Sequence, residues 1–193
     1  IDGESINLSE LVLLEDGKSY HYPFQNVTRD QSVKVEFAIN TYTLTFDYNS
    51  GEGTVEKGSV RDGIVENGPA EDTVISTGGI VIVEHGKKPS FKVTPIQGFH
   101  IKSITFGDEG IQLPADVTQE TKEHEFESPK VTDDQTVVVV FEINRYKVTT
   151  AVTENGVATI DKGTAEYGGE AVVTMIPEDG YEVSSIIVNN GNP

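Results

Sequence analysis

The sequence predicts a mainly β chain built of tandem modules. Three observations predict it: apolar and polar residues alternate with period 2, turn signatures separate the alternating runs, and the chain repeats itself. The run Phe37 to Thr45 returns as Phe141 to Thr149, with Phe, Ile-Asn, Tyr and Thr kept at an offset of 104. Thr94-Pro95-Ile96-Gln97-Gly98-Phe99 returns as Ile176-Pro177-Glu178-Asp179-Gly180-Tyr181, offset by only 82.

Taken in chain order, Val33, Val35, Phe37 and Ile39 alternate with polar neighbours, as do Tyr42, Leu44, Phe46 and Tyr48. Both runs read as half-buried strands. The segments Phe91-Lys92-Val93 and Ile101 to Phe106 read the same way, and Val137, Val139, Phe141 and Ile143 lead into Tyr146 and Val148 as a later copy. Ala171 to Met175 and Val183 to Val188 complete the set. No long stretch carries a 3.6-residue period, and only residues 4–14 and 113–125 suit a short helical turn.

Turn chemistry agrees with the strands. In Pro177-Glu178-Asp179-Gly180 the proline supplies φ near −65° and the glycine a positive φ, as a type I turn closing into a bulge requires. Pro95-Ile96-Gln97-Gly98 repeats the pattern, and Asn155-Gly156, between Val152 and Val157, is the strongest short hairpin signal.

The two offsets differ because the earlier copy carries extra residues. Lys57-Gly58 matches Lys162-Gly163 at 105, whereas Gly98 matches Gly180 at 82, which leaves 23 additional residues within about 59–81. Gly63, Gly68-Pro69 and Gly78-Gly79 mark that stretch as an irregular loop or an added hairpin. Inward positions are odd-numbered through Ile39 and even-numbered from Tyr42, and the same flip separates Ile143 from Tyr146. A two-residue hairpin would pair 39 with 42, but β-branched Thr41 resists the positive φ it needs, which favours an extended junction. On that phasing 1–40 is the second half of a repeat, 41–144 a complete repeat with its insertion near 59–81, and 145–193 the first half of another. The alternative phasing is 1–107 and 108–193.

Composition narrows the function. Hydrophobic residues at 36% together with 19 glycines in 193 residues reach about 46% apolar, inside the globular range. Without cysteine the chain has no disulfide, thiolate metal site or Cys nucleophile, so apolar burial and hydrogen bonding must hold it together. The net charge of −18 divides as −4 over 1–40, −10 over 41–144 and −4 over 145–193, an acidic surface with no acidic tail. With no basic stripe, nucleic acid and anionic lipid are not expected partners. No apolar run reaches the length of a membrane span, and the first residues lack the form of a signal peptide.

The repeat runs from a Tyr-initiated strand (Tyr146-Lys147-Val148) through Glu166-Tyr167-Gly168 and Pro177-Glu178-Asp179-Gly180-Tyr181 to a closing Thr132-Asp133-Asp134-Gln135-Thr136-Val137 strand. This order resembles the divergent internalin-B-type B-repeat and the related Listeria–Bacteroides repeats of bacterial surface proteins. The resemblance covers most of the chain. It implies small β-rich modules, β-grasp-like or sandwich-like, strung as an elongated array along secreted or wall-attached proteins, with no catalytic residues of their own. Members of that family often carry Trp shortly after the Gly-aromatic pair, where this chain has Ile104 and Ile186.

Chemical constellations are weak. His21, His85, His100 and His124 lack any metal-ligand spacing. Glu123, Glu125 and Glu127 share one strand face, which suits a solvated acidic edge that discourages sheet pairing better than a cleft-spanning carboxylate pair. Asp133-Asp134 precedes the last strand where the earlier copy has Thr28-Arg29-Asp30, an arrangement for turn capping and not for a repeated calcium site. Gly78-Gly79 and Gly168-Gly169 lack the helix and lysine of a phosphate loop, and Phe99 and Tyr181 read as core packing. No catalytic, metal or cofactor residue is assigned. The expected function is a non-catalytic stalk, adhesion spacer or protein-interaction module of a bacterial surface or secreted protein, located outside the cell. Expected partners are a host or neighbouring-cell surface protein or glycan, met by loops 59–81 or 107–125. The alternative is a carbohydrate-binding accessory module of a secreted hydrolase.

Overall fold

The computed structural model describes residues 6, 8–23, 25–65, 74–151 and 154–188. Gly68-Pro69, Val152 and residues 4, 5 and 7, named above, lie outside the described residues. The fold is mainly β, with sixteen short strands and no α-helix among the described residues. It divides into two compact units, 1–38 and 39–193.

In the first unit a single 3-10 turn, Leu8–Glu10, precedes the hairpin of β1 (Val12–Leu13) and β2 (Tyr20–His21). Asp16 closes that hairpin, its carboxylate accepting from the Lys18 and Ser19 amides at 2.8 Å. The expected strand over Val33 to Ile39 does not form: this stretch joins no ladder among the described residues, and Phe37 is 94% exposed. Alternation signals a face that can be buried. It does not supply the neighbouring strand that would bury it.

The second unit opens with β3 (Thr41–Tyr48), β4 (Gly53–Lys57), β5 (Ile64–Val65), β6 (Val74–Ile75), β7 (Ile80–Glu84) and β8 (Ser90–Pro95). Then come β9 (Phe99–Phe106), β10 (Glu109–Ile111), β11 (His124–Glu127) and β12 (Gln135–Ile143). These make a six-stranded sheet, β10-β9-β12-β3-β7-β5, and a four-stranded sheet, β11-β8-β4-β6. The expected insertion contributes two separate edge strands: β5 extends the first sheet beside β7, and β6 extends the second beside β4. Residues 39 and 42 do not pair; Tyr42 faces Val83 on β7.

One core lies between the sheets. Leu44 and Phe46 of β3, Ile101 and Ile104 of β9, and Val137 and Val139 of β12 meet Val55, Phe91, Val93 and Phe126 of the smaller sheet. The Phe46 and Phe91 rings touch edge to face at 4.8 Å. Gly53 has no side chain because the Phe141 ring occupies the place its Cβ would take. Among the described residues, all seventeen buried hydrophobic ones fall between 44 and 141, so burial at about 1.5–3 kcal/mol per large side chain stabilises this part above all.

After Asn144 come β13 (Arg145–Lys147), β14 (Gly156–Ile160), β15 (Thr164–Glu166) and β16 (Val173–Pro177). Their pairings repeat those of the earlier strands. Tyr146 pairs with Ala165 as Tyr42 pairs with Val83, at the offsets 104 and 82 read from the sequence. Gly156 pairs with Pro177, and Ile160 with Val173, as Gly53 pairs with Pro95 and Lys57 with Phe91; this strand is thus offset by 103, and Lys57 corresponds to Ile160 and not, as the sequence match at 105 predicts, to Lys162. The turns recur as well: Gly98 and Gly180 have φ of 89° and 85°, Gly86 and Gly168 of 78° and 72°. Val183 to Val188, expected as a strand, joins no ladder among the described residues and is exposed. Its counterpart β9 is flanked by β10 and β12; here neither neighbour is present among the described residues.

Candidate functional site

The loop of residues 58–62 is pinned by a carboxylate. Edge strand β11 presents Glu125, whose Oε1 accepts from the Ser59 amide and hydroxyl, both at 2.6 Å, and from the Ser90 hydroxyl of β8. These donors, the Ser59 hydroxyl first and the Ser90 hydroxyl next, hold the Glu125 carboxyl down at about 2. Gly58 is required beside them, since a Cβ would run into Ser90 Oγ and Glu125 Oε1. Nearby, Asp62 accepts from Lys87 Nζ at 3.0 Å and the Lys88 amide at 3.2 Å; the Lys87 hydrogen bond lowers the carboxyl and raises the ammonium in turn. This part of the insertion is a fixed surface.

The three glutamates predicted for one strand face therefore diverge in role. Glu125 ties down the loop, Glu127 pairs with Lys88 at 3.2 Å, and Glu123 precedes the strand. No local pattern signals the Ser59 contact, which spans 66 residues. Asp134 accepts from the Thr43 amide at 2.8 Å, next to the point where the β3–β12 ladder begins. Asp133 accepts from Gln135 Nε2 at 2.6 Å, a local contact, whereas the expected turn cap at Asp134 is a bond across to β3.

A second constellation surrounds Asn144, which is buried. Its Oδ1 lies 2.8 Å from His100 Nδ1, its Nδ2 donates to the Gln119 carbonyl at 3.0 Å, and its amide donates to the Gly98 carbonyl at 2.8 Å. The Asn144 carbonyl in turn accepts from the Tyr167 amide at 2.8 Å. The Tyr167 ring lies against Gly98, where any side chain would collide with it. Asn144 thereby fastens the turn before β9 to the strands that follow β12. Asn40 repeats part of this arrangement, its carbonyl accepting from the His85 amide at 2.8 Å.

The histidines stay apart. His100 meets Asn144, His85 lies 5.7 Å from the Tyr42 ring, His21 stands on β2 and His124 on β11. No three His, Asp or Glu side chains converge as metal ligands among the described residues. Among the described residues the exposed aromatics are Tyr20, Phe37, Tyr146, Tyr167 and Tyr181; Tyr146 on β13 and Tyr167 just past β15 belong to one paired stretch, and the other three to separate segments. No protein-family model, curated protein or solved structure matches this chain.

Proposed function

We propose that this chain is a non-catalytic load-bearing segment, a stalk or adhesion spacer of a bacterial surface or secreted protein, built from repeats resembling the internalin-B type. The observation that carries the reading is the parallel pairing of the first and last strands of 41–144. Gln135 pairs with Leu44 and Val139 with Tyr48, so Thr41 and Asn144 lie at opposite ends of one hydrogen-bonded ladder. Tension entering at Thr41 and leaving at Asn144 pulls β3 and β12 past each other. The bonds between them then share the load and do not break in turn.

Recurrence of the β3–β7 and β4–β8 pairings after Asn144 supports a repeated unit, and the Asn144 hydrogen bonds support a fixed connection between successive units. The acidic surface, at −18, supports separation of neighbouring copies in solution. A carbohydrate-binding accessory role would draw on a row of aromatic residues aligned on one face; Tyr146 and Tyr167 share one paired stretch, whereas Tyr20, Phe37 and Tyr181 come from separate segments. Removing the segment from its parent protein tests the stalk reading. The parent is expected to stay on the surface with shortened reach and weakened adhesion, and unchanged reach would contradict it.

A further inference from the structure

The outer face of the larger sheet carries a polar hollow. Thr43 and Thr45 alternate with buried Leu44 and Phe46, and Thr136 precedes buried Val137, so all three hydroxyls stand on the face turned away from the core. The parallel ladder sets Thr136 beside Thr45. Gly107-Asp108, the two-residue turn joining β9 to β10, lies next to them, and the Gly107 amide donates to the Thr136 carbonyl at 2.8 Å. With Asp134 and Gln135 these residues line a cavity of about 630 Å³. Its floor strands are paired on both flanks, β3 by β7 and β12, and β12 by β3 and β9.

Several of its groups are held in place. The Thr43 amide anchors Asp134 Oδ1 at 2.8 Å, and Gln135 Nε2 donates to Asp133 at 2.6 Å, which leaves Gln135 Oε1 against Gly107. Gly107, with φ of 59°, has room for that oxygen because it carries no Cβ. The hollow therefore offers acceptors on two carboxylates and one amide, and hydroxyls that both donate and accept. No aromatic residue, no Val, Ile or Leu, and no Lys, Arg or His lines it among the described residues. An anion finds no cation there, and an apolar ligand finds no surface to cover. Among the described residues no three His, Asp or Glu side chains converge as metal ligands. What matches is an uncharged ligand rich in hydroxyls, since neighbouring O–H groups can reach one planar carboxylate together.

We propose that this hollow binds a pyranose unit of a neutral glycan, with Asp108 and Asp134 accepting from sugar hydroxyls over a floor of Thr45 and Thr136. Its volume of about 630 Å³ falls within the roughly 300–1,000 Å³ of small-ligand sites. Gly107 and Asp108 open the 107–125 loop, one of the two loops from which a glycan contact is expected. Without an aromatic platform the site binds by hydrogen bonds that water also offers, so its affinity is expected to be weak, in the millimolar range. The inference rests on the adhesive part of the proposed reading, and on nothing in its load-bearing part.

Amide NMR titration of the full chain tests it. The probes are the methyl pyranosides of glucose, galactose, mannose and N-acetylglucosamine, with arginine methyl ester as a cationic control. At least one glycoside is expected to give saturable shifts at residues 43–45, 107–108 and 134–136. Thr136→Val and Asp108→Asn, both at exposed positions, are each expected to weaken that response about tenfold while the rest of the spectrum is kept. Absence of saturable shifts with all four glycosides overturns the site, as do shifts centred elsewhere or shifts that both variants leave intact. Saturation of the same amides by arginine methyl ester and by no glycoside overturns it too, by making the hollow a cation site. None of these failures bears on the spacer reading, which is tested by reach and by force.

Discussion

Glu125 shows how a residue that reads as a surface charge becomes structural. Its carboxyl is held at about 2, below the ordinary value near 4.5, so the folded state favours the ionised form. The resulting stability is present in full above pH 4.5 and is lost as pH falls toward 2. Because the side chain is exposed and solvent screens it, the contribution is at most about 1 kcal/mol. Urea titrations across pH 2 to 5 are expected to show a decline in the wild type that Glu125→Gln flattens. Gly53 makes a different demand: Gly53→Ala is expected to cost about 1–3 kcal/mol by overpacking against Phe141, and Phe141→Leu in the same chain is expected to recover part of it. Asn144→Ala would leave the Gln119 carbonyl and His100 without their partner, costing about 1–3 kcal/mol in thermal unfolding. None of these roles was legible in the sequence, because each depends on a partner that only the fold brings near.

Among the elements, β3 and β12 were legible because their alternation is long and their inward residues are large. Leu44, Phe46, Val137 and Val139 are all buried as the period required. The Pro-x-x-Gly turns were legible for a local reason, since the positive φ at Gly98 and Gly180 is a property of the glycine itself. Of the two failures, Val33 to Ile39 alternates as cleanly as β12, whereas in Val183 to Val188 the apolar residues 183, 186, 187 and 188 break the period. Neither has a paired neighbour among the described residues, which periodicity does not record. The two-residue strands β5 and β6 fall below the length at which a period is readable. As an element-scale prediction, Val138→Pro removes a donor from a strand paired on both sides, and is expected to cost about 3 kcal/mol or more by denaturant unfolding. Proline at Ile187, in the unpaired segment, is expected to change the stability of the monomer little.

At the scale of the chain, confinement of the core to 44–141 among the described residues implies unequal stability within 39–193. Amide exchange is expected to be slowest in β3, β9 and β12 and faster in β13 to β16, whose side chains are partly or fully exposed. The repetition of pairings after Asn144 indicates that local sequence carries the register even where no second sheet covers it. The negative charges outnumber the positive and are spread over the chain, adding repulsion that salt relieves, so stability is expected to rise with ionic strength.

The load-bearing claim rests on the direction in which β3 and β12 are pulled. Because the chain has no native cysteine, single thiol handles can be placed at will. Handles at residues 41 and 145 load the parallel ladder in shear, whereas handles at 41 and 133 open it from one end. Single-molecule extension across 41 and 145 is expected to require a several-fold greater unfolding force than extension across 41 and 133. Equal forces in the two geometries would rule out shear of this ladder as the source of resistance.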